Sequence, residues 1–240
     1  MKTSPVIVAL DLESGGEARS LIGSLGDAAS FYKVGLELYT STGVDFVREL
    51  KAQGHRVFLD LKLYDIGETV KRAVAQVARL GVDFLTVHGS RAVMEAAVAG
   101  KGAAPLELLA VTVLTSFDES DLRQMGYPCS VSDLVELRVR NAMEAGVNGI
   151  VCSPLEVRRV RAVAGPQAIL VTPGVRSRGA AVGDQKRVAT PAQAIADGAN
   201  YLVIGRQVTR ADDPRGAMLQ VLEEVRSGIG ASVEVEGLKP

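Results

Sequence analysis

The sequence predicts a parallel (β/α)8 barrel. Three observations lead there. Eight short runs rich in Val, Ile and Leu recur along the 240 residues, longer amphipathic stretches separate them, and no glycine-rich nucleotide turn follows the first run. Near-continuous apolar runs suit parallel strands buried on both faces. Their alternation with helical segments is the pattern of a barrel or of a doubly wound sheet. A doubly wound sheet, the alternative, usually has fewer strands and a G-x-G-x-x-G turn after the first one. Here the first run leads instead into "ALDLESGGE". Barrels of this length are routinely one domain, and no composition shift or low-complexity segment divides residues 1–240.

The strands are taken in order. "VIVALD" (6–11) is apolar up to Asp11, and "FYKVG" (31–35) carries Lys33. "RVFLDLK" (56–62) sets Asp60 and Lys62 into an apolar run, and "FLTVH" (84–88) ends on His88. "LLAVTVL" (108–114) leads to Thr115 and Ser116, and "GIVCS" (149–153) holds Cys152, read as a small packed hydrophobe. "AILVTPGV" (168–175) runs into Arg176, and "YLVIGR" (201–206) ends on Gly205 and Arg206. Between the third and fourth strands, Val70, Val74, Val77 and Ala78 fall at helical spacing over 67–80, with Gly81 as a C-cap. Glycine joints at 81–84 and 146–150 return helices to strands. The segment 176–187, "RSRGAAVGDQKR", is long, glycine-bearing and charged, as lids and binding loops are. After about residue 228 a loosely attached tail is expected.

Composition narrows the function. Lys+Arg total 27 against 28 Asp+Glu, a net charge of −1, so no electrostatic footprint for nucleic acid or an anionic membrane is present. Aromatics are 4% and Trp is absent, which removes a stacking platform for single strands. The basic cluster "RRVRAV" (158–163) reads as a solvated helix face. No apolar run approaches a membrane span, and the N-terminal run is too short for a signal sequence. Two separated Cys and two His give neither a disulfide framework nor a zinc spacing. The expected location is the reducing cytoplasm.

The charges are the chemical signal. Burying an unpaired charge costs several kcal/mol, yet "FLDLKLYDIGET" (58–69) places Asp60, Lys62 and Asp65 within six positions. Barrel chemistry collects at the C-terminal ends of strands. On a strand, residues two apart share a face, so Asp60 and Lys62 project together into the barrel mouth, where Lys33 and Asp11 can join them. Alternating signs let each charge stabilise its neighbour in a low-dielectric site. A structural salt-bridge network closing the barrel top is the competing reading, although apolar replacements often serve stability as well. Asp65 also suits a helix N-cap near Gly67, and Glu68 a structural place in the first helical turn. Gly205 and Arg206, with "TPGVR" on the seventh strand, form a phosphate site of the kind barrels hold after strands seven and eight.

The ordered set "ALD", "YKVG", "DLKLYDIGET", "VTVLTS", "TPGVR", "GDQKRVATP" and "VIGR" closely resembles the orotidine 5′-phosphate decarboxylases over about residues 5–225. The D-x-K-x-x-D core alone is shared with relatives of different chemistry; the full set is specific. The resemblance implies a cofactor-free decarboxylase with Lys62 as proton donor to carbon 6 of the pyrimidine and Asp60 beside the departing carboxylate. It implies an alternating tetrad of Lys33, Asp60, Lys62 and Asp65. Asp65, Ile66 and Thr69 would enter the partner's site in a homodimer. Asp11 and Lys33 would hold the ribose hydroxyls, and Ser116 with Thr115 would read the pyrimidine edge. Gln185 would bridge base and phosphate from the lid, and Arg176, Gly205 and Arg206 would complete the phosphate end. His88 reads as a packed, hydrogen-bonded histidine. The nearest alternative is a magnesium-dependent sugar-phosphate enzyme of the 3-keto-gulonate 6-phosphate decarboxylase type, which resembles "EVG" where this chain has "KVG". A non-catalytic pyrimidine-sensing barrel is the alternative from another class.

Overall fold

The computed structural model describes residues 4–177 and 189–236. In chain order the elements are β1 (Val6–Ala9), α1 (Gly15–Leu25), β2 (Phe31–Gly35), α2 (Leu36–Ala52), β3 (Arg56–Leu63), α3 (Gly67–Ala78), β4 (Phe84–His88), α4 (Arg91–Lys101), β5 (Glu107–Val111), α5 (Glu119–Gln124), α6 (Val131–Glu144), β6 (Gly149–Val151), α7 (Val157–Ala164), β7 (Ile169–Thr172), α8 (Pro191–Ala196), β8 (Tyr201–Ile204), α9 (Arg206–Thr209) and α10 (Pro214–Glu236). The strands pair in parallel and in sequence order, and β8 returns to β1, so the sheet is a closed barrel. The alternative of an open doubly wound sheet is excluded by that closure.

The strand period of two sorts the apolar runs into two cores. Ile7, Ala9, Phe31, Phe58, Phe84, Leu109, Val171 and Val203 point inward and pack together. Their neighbours, among them Val8, Tyr32, Val34, Leu59, Leu85 and Ala110, point outward and meet the buried faces of the helices. Both faces are covered, which is why the runs are apolar without alternation. Four of the ten aromatics meet here. Phe31, Phe58, Phe84 and Tyr201 pack edge-to-face inside the barrel with centroids 5.2–5.9 Å apart. Below them the Arg56 guanidinium lies 4.0 Å from the Phe31 centroid and donates to Asp83 at 3.1 Å. The barrel mouth therefore has an apolar, water-excluding floor.

Several strands stop earlier than their apolar runs. β1 ends at Ala9 and β8 at Ile204, leaving Asp11 in the irregular segment after β1 and Arg206 at the start of α9. The ladder breaks where the chain leaves the barrel rim. α3 buries Val70, Val74 and Val77 and ends at Ala78, followed by Gly81 at φ 68°, where a left-handed turn needs a residue without Cβ. The loose tail expected after about residue 228 is, as far as Glu236, a continuation of α10. Gly228 lies so close to α8 that a Cβ there would come within 2.5 Å of the Ala192 carbonyl oxygen. Of the predicted lid, Arg176 and Ser177 are described; Gln185 and its neighbours lie outside the described residues. The ends flanking the segment are joined by a parallel bridge between Val175 and Ala189.

Candidate active site

At the mouth of the barrel four charges form an alternating row, Asp11, Lys33, Asp60, Lys62. β1 registers Ala9 against Lys33, and β2 registers Gly35 against Asp60, which brings the strand ends together. Lys33 Nζ lies 2.7 Å from Asp11 Oδ1 and 3.5 Å from Asp60 Oδ2. Lys62 Nζ donates to Asp60 Oδ1 at 2.8 Å. The Lys33 and Asp60 side chains are 9% and 13% exposed while Asp11 and Lys62 are 58% and 35% exposed, so the middle of the row is buried and both its ends face the cavity.

Asp60 and Lys62 share the mouth for a reason that regular alternation does not supply. Between β3 and β4 the register moves from Leu59 opposite Leu85 to Leu63 opposite Val87, so β3 carries a bulge there. Inside it Lys62 adopts φ 49°, the one positive φ at a non-glycine among the described residues. For a residue with a Cβ this conformation costs about 1–2 kcal/mol, and strain of this kind clusters at functional sites.

The electrostatics follow from burial and pairing. Burial by itself would lower the Lys33 pKa, but Asp60 and Asp11 outweigh it and hold the ammonium above its ordinary value. Burial pushes the Asp60 carboxyl up; the Lys33 and Lys62 charges, with hydrogen bonds from Lys62 and Thr86, reverse this and hold it below the usual carboxylate range. Lys33 and Asp60 thus hold each other in the charged form over an apolar floor.

The row lies on one wall of a cavity of about 530 Å³. Asp11, Lys33, Asp60, Lys62, Thr115, Ser116, Arg176, Gly205 and Arg206 all line it, joined by Pro173, Gly174, Thr209 and Arg210. A Cβ on Gly205 would meet Ala9 Cβ at an ordinary 3.8 Å, so what the glycine keeps free is the cavity side of the backbone. Arg176 is buried, and burial together with the nearby Arg206 lowers its pKa, a pairing of like charges that an anion would relieve. Ser177 is tied to α9 through Gln207, whose Oε1 accepts from the Ser177 N–H at 3.0 Å.

Three predicted residues are not brought to this cavity. Asp65, Ile66 and Thr69 are exposed and do not line it. Asp65 Oδ1 accepts from the Ile66 N–H at 2.6 Å, and Ile66 is the N-cap of α3 with no side-chain cap, so Asp65 does not cap the helix. His88 is packed, with its ring 4.4 Å from that of Tyr64, but its buried Nδ1 has no hydrogen-bond partner among the described residues. Burial, with Arg138 nearby, lowers its pKa and favours the neutral ring.

Two residues escaped sequence reasoning. Gly35 makes room for the row, since a Cβ there would stand 2.9 Å from Lys33 Nζ and 3.0 Å from Asp11 Oδ1. Thr86 bonds to both Asp60 and Lys62. Each had a signal: glycine directly after a charged strand residue, and a hydroxyl at an inward position of the strand beside Asp60.

A model of the orotidine 5′-phosphate decarboxylase / HUMPS family matches residues 4–221. An orotidine 5′-phosphate decarboxylase of Rhodopseudomonas palustris (strain BisA53) is 52% identical over 220 residues, covering 92% of this chain and 94% of the relative. One from Caulobacter sp. (strain K31) is 51% identical over 220 residues, covering 92% and 96%. The crystal structure of the orotidine 5′-phosphate decarboxylase from Lactobacillus acidophilus superposes with a TM-score of 0.82 at 35% identity, covering 92% of this chain and 99% of that one. With its closed barrel, its charged row and its matched length together, the chain belongs to the orotidine 5′-phosphate decarboxylase / HUMPS family.

Proposed function

We propose that this chain converts orotidine 5′-monophosphate to uridine 5′-monophosphate and carbon dioxide, a step of pyrimidine nucleotide synthesis, without a cofactor, and that Lys62 delivers the proton to carbon 6. The observation that carries the proposal is the row itself: an ammonium held against a buried carboxylate at the edge of a cavity with a second cationic end. Loss of the carboxyl group leaves electrons on an sp² carbon that the ring delocalises poorly. An ammonium fixed near that carbon stabilises the charge as it develops and then donates the proton. Asp60 lies beside the departing group, and its like charge disfavours the substrate carboxylate. Asp11 and Lys33 hold the ribose hydroxyls; Thr115 and Ser116 read the base.

The demand is large, roughly 15–23 kcal/mol. Contacts at one carbon are too few to meet it, so phosphate binding at Arg176, Gly205 and Arg206, with Gln185 from the 176–187 segment, supplies binding energy for closure over the substrate. The magnesium-dependent alternative is disfavoured by Lys33. Its buried ammonium, 2.7 Å from Asp11 and 3.5 Å from Asp60, occupies the carboxylates a divalent cation would need. The decisive assay is the loss of orotidylate absorbance on addition of the protein, with turnover unchanged by EDTA. Unaltered absorbance would leave the pyrimidine-sensing alternative standing.

The working unit is a homodimer in which Asp65, Ile66 and Thr69 complete the partner's site in the cytoplasm. Support comes from Tyr64 and Ile66, 67% and 73% exposed beside Asp65 at the barrel mouth, an apolar surface of the kind that association covers. Mixing inactive Lys62→Ala and Asp65→Ala chains tests it. A random mixture holds one intact site in each mixed dimer, so about a quarter of wild-type activity returns. No recovery would refute the shared site.

A further inference from the structure

One polar group behind the row has no role in the chemistry above. Thr86 sits in β4, wholly buried, opposite Leu109 of β5 and facing the β3 bulge. Its Oγ1 accepts from the Lys62 backbone N–H at 2.9 Å and donates to Asp60 Oδ1 at 2.8 Å. A hydroxyl has a single hydrogen, so with the amide donating inward, the O–H must point at the carboxylate. The first contact satisfies an amide that the bulge takes out of the β3–β4 ladder, at the residue held at φ 49°. The second shares Asp60 Oδ1 with the Lys62 ammonium.

We propose that Thr86 is a positioning residue, whose hydroxyl fixes the Asp60 carboxylate and the Lys62 backbone in one rigid unit so that both face the reacting carbon at constant spacing. When the Lys62 ammonium turns from Asp60 toward the substrate, Asp60 keeps the Thr86 O–H on Oδ1 and Lys33 on Oδ2, and does not follow. Residue 62 likewise has no route back to an extended backbone while its amide is captured. A valine in the same place would preserve the packing but leave the amide and the carboxylate each one partner short. The inference rests on the assignment of Lys62 and Asp60 above.

The test is steady-state decarboxylation by Thr86→Val and Thr86→Ser, with thermal unfolding to verify folding. In Thr86→Val, kcat falls about 10–100-fold, as a misplacement of about 1 Å can produce, while KM stays within about threefold because the phosphate and ribose contacts are intact. Thr86→Ser recovers most of the loss. A Thr86→Val kcat within about threefold of wild type overturns the proposal, as does a loss confined to KM, or a Thr86→Ser variant as slow as Thr86→Val. Should Thr86→Val not fold, Thr86→Cys, with similar bulk and a weak donor, is read by the same criteria. Failure of both to fold beside a folded Thr86→Ser would overturn positioning in favour of a purely structural role. Wild-type turnover in Lys62→Ala would instead refute the underlying site, whatever Thr86 does.

Discussion

Replacing Lys62 by alanine separates catalysis from stability more sharply than other changes in the row. The direct attraction across the 2.8 Å contact between Lys62 and Asp60 is about 6 kcal/mol at an effective dielectric of 20. Most of that is offset. Lys62 is 35% exposed, and pairing it desolvates both groups, so the net contribution falls to roughly 1–2 kcal/mol. Asp60 is not orphaned by the change, because Lys33 remains at 3.5 Å and the Thr86 hydroxyl at 2.8 Å. Lys62→Ala is therefore expected to fold, with Tm lowered by about 2–8 °C for a chain of this length. Turnover is another matter. The variant loses a general acid, commonly worth about 10²–10⁴ in rate, and an electrostatic stabiliser worth about 10²–10³. The expected loss in kcat/KM is at least ~10⁴-fold, read from orotidylate absorbance. A folded variant within tenfold of wild type would refute the proton-donor role. An unfolded one would refute the claim that Lys33 and Thr86 suffice to keep Asp60 buried.

Three further outcomes follow from the same geometry. Arg206→Ala removes a charged hydrogen-bond donor from the phosphate end and lowers kcat/KM by more than ~2 kcal/mol, about 30-fold; an unchanged value would remove Arg206 from that end. Gly35→Ala introduces a Cβ 2.9 Å from the tip of Lys33 and 3.0 Å from Asp11 Oδ1, so the ion pair shifts by a few tenths of an ångström without being broken. Its Tm is expected within a few degrees of wild type while activity drops at least ~10-fold, and full activity would show that the Lys33 position is not critical. The pH dependence of urea unfolding reads the row from both sides. Asp60 is held below its ordinary pKa, so its contribution is present above the unfolded value of about 3.9 and is lost as pH falls through the lower folded value. Lys33 is held above its ordinary value, so its contribution is complete below about 10.4 and is lost as pH rises through the higher folded one. The acid loss should be shallower in Asp60→Asn; an identical slope would show that other carboxylates govern it.

Much of this protein was legible in the sequence because its signals are local. Eight apolar runs each continue without alternation because both faces of each strand are covered, so the barrel is written into every repeat separately. Charges that interrupt such runs announce themselves, which is how Asp60, Lys62 and Lys33 could be placed at the mouth before any fold was in view. The glycine and arginine at the close of the eighth run, read as a phosphate end, were equally visible and line the same cavity.

What the sequence left open depends on distance between strands. Alternation alone put Asp60 and Lys62 on one face, but a β3 bulge and a left-handed residue produce that arrangement, and neither has a signature in "FLDLK". Thr86 looked like an ordinary strand residue; only the pairing of β3 with β4 set its hydroxyl against Asp60. The converse holds for Asp65, which lies five residues from Asp60 in the chain yet stands at the surface, away from its own cavity. Residue type and spacing determine which groups can be buried and at which end of a strand. Hydrogen-bond partners across the barrel, set by register and closure, decide which of them touch.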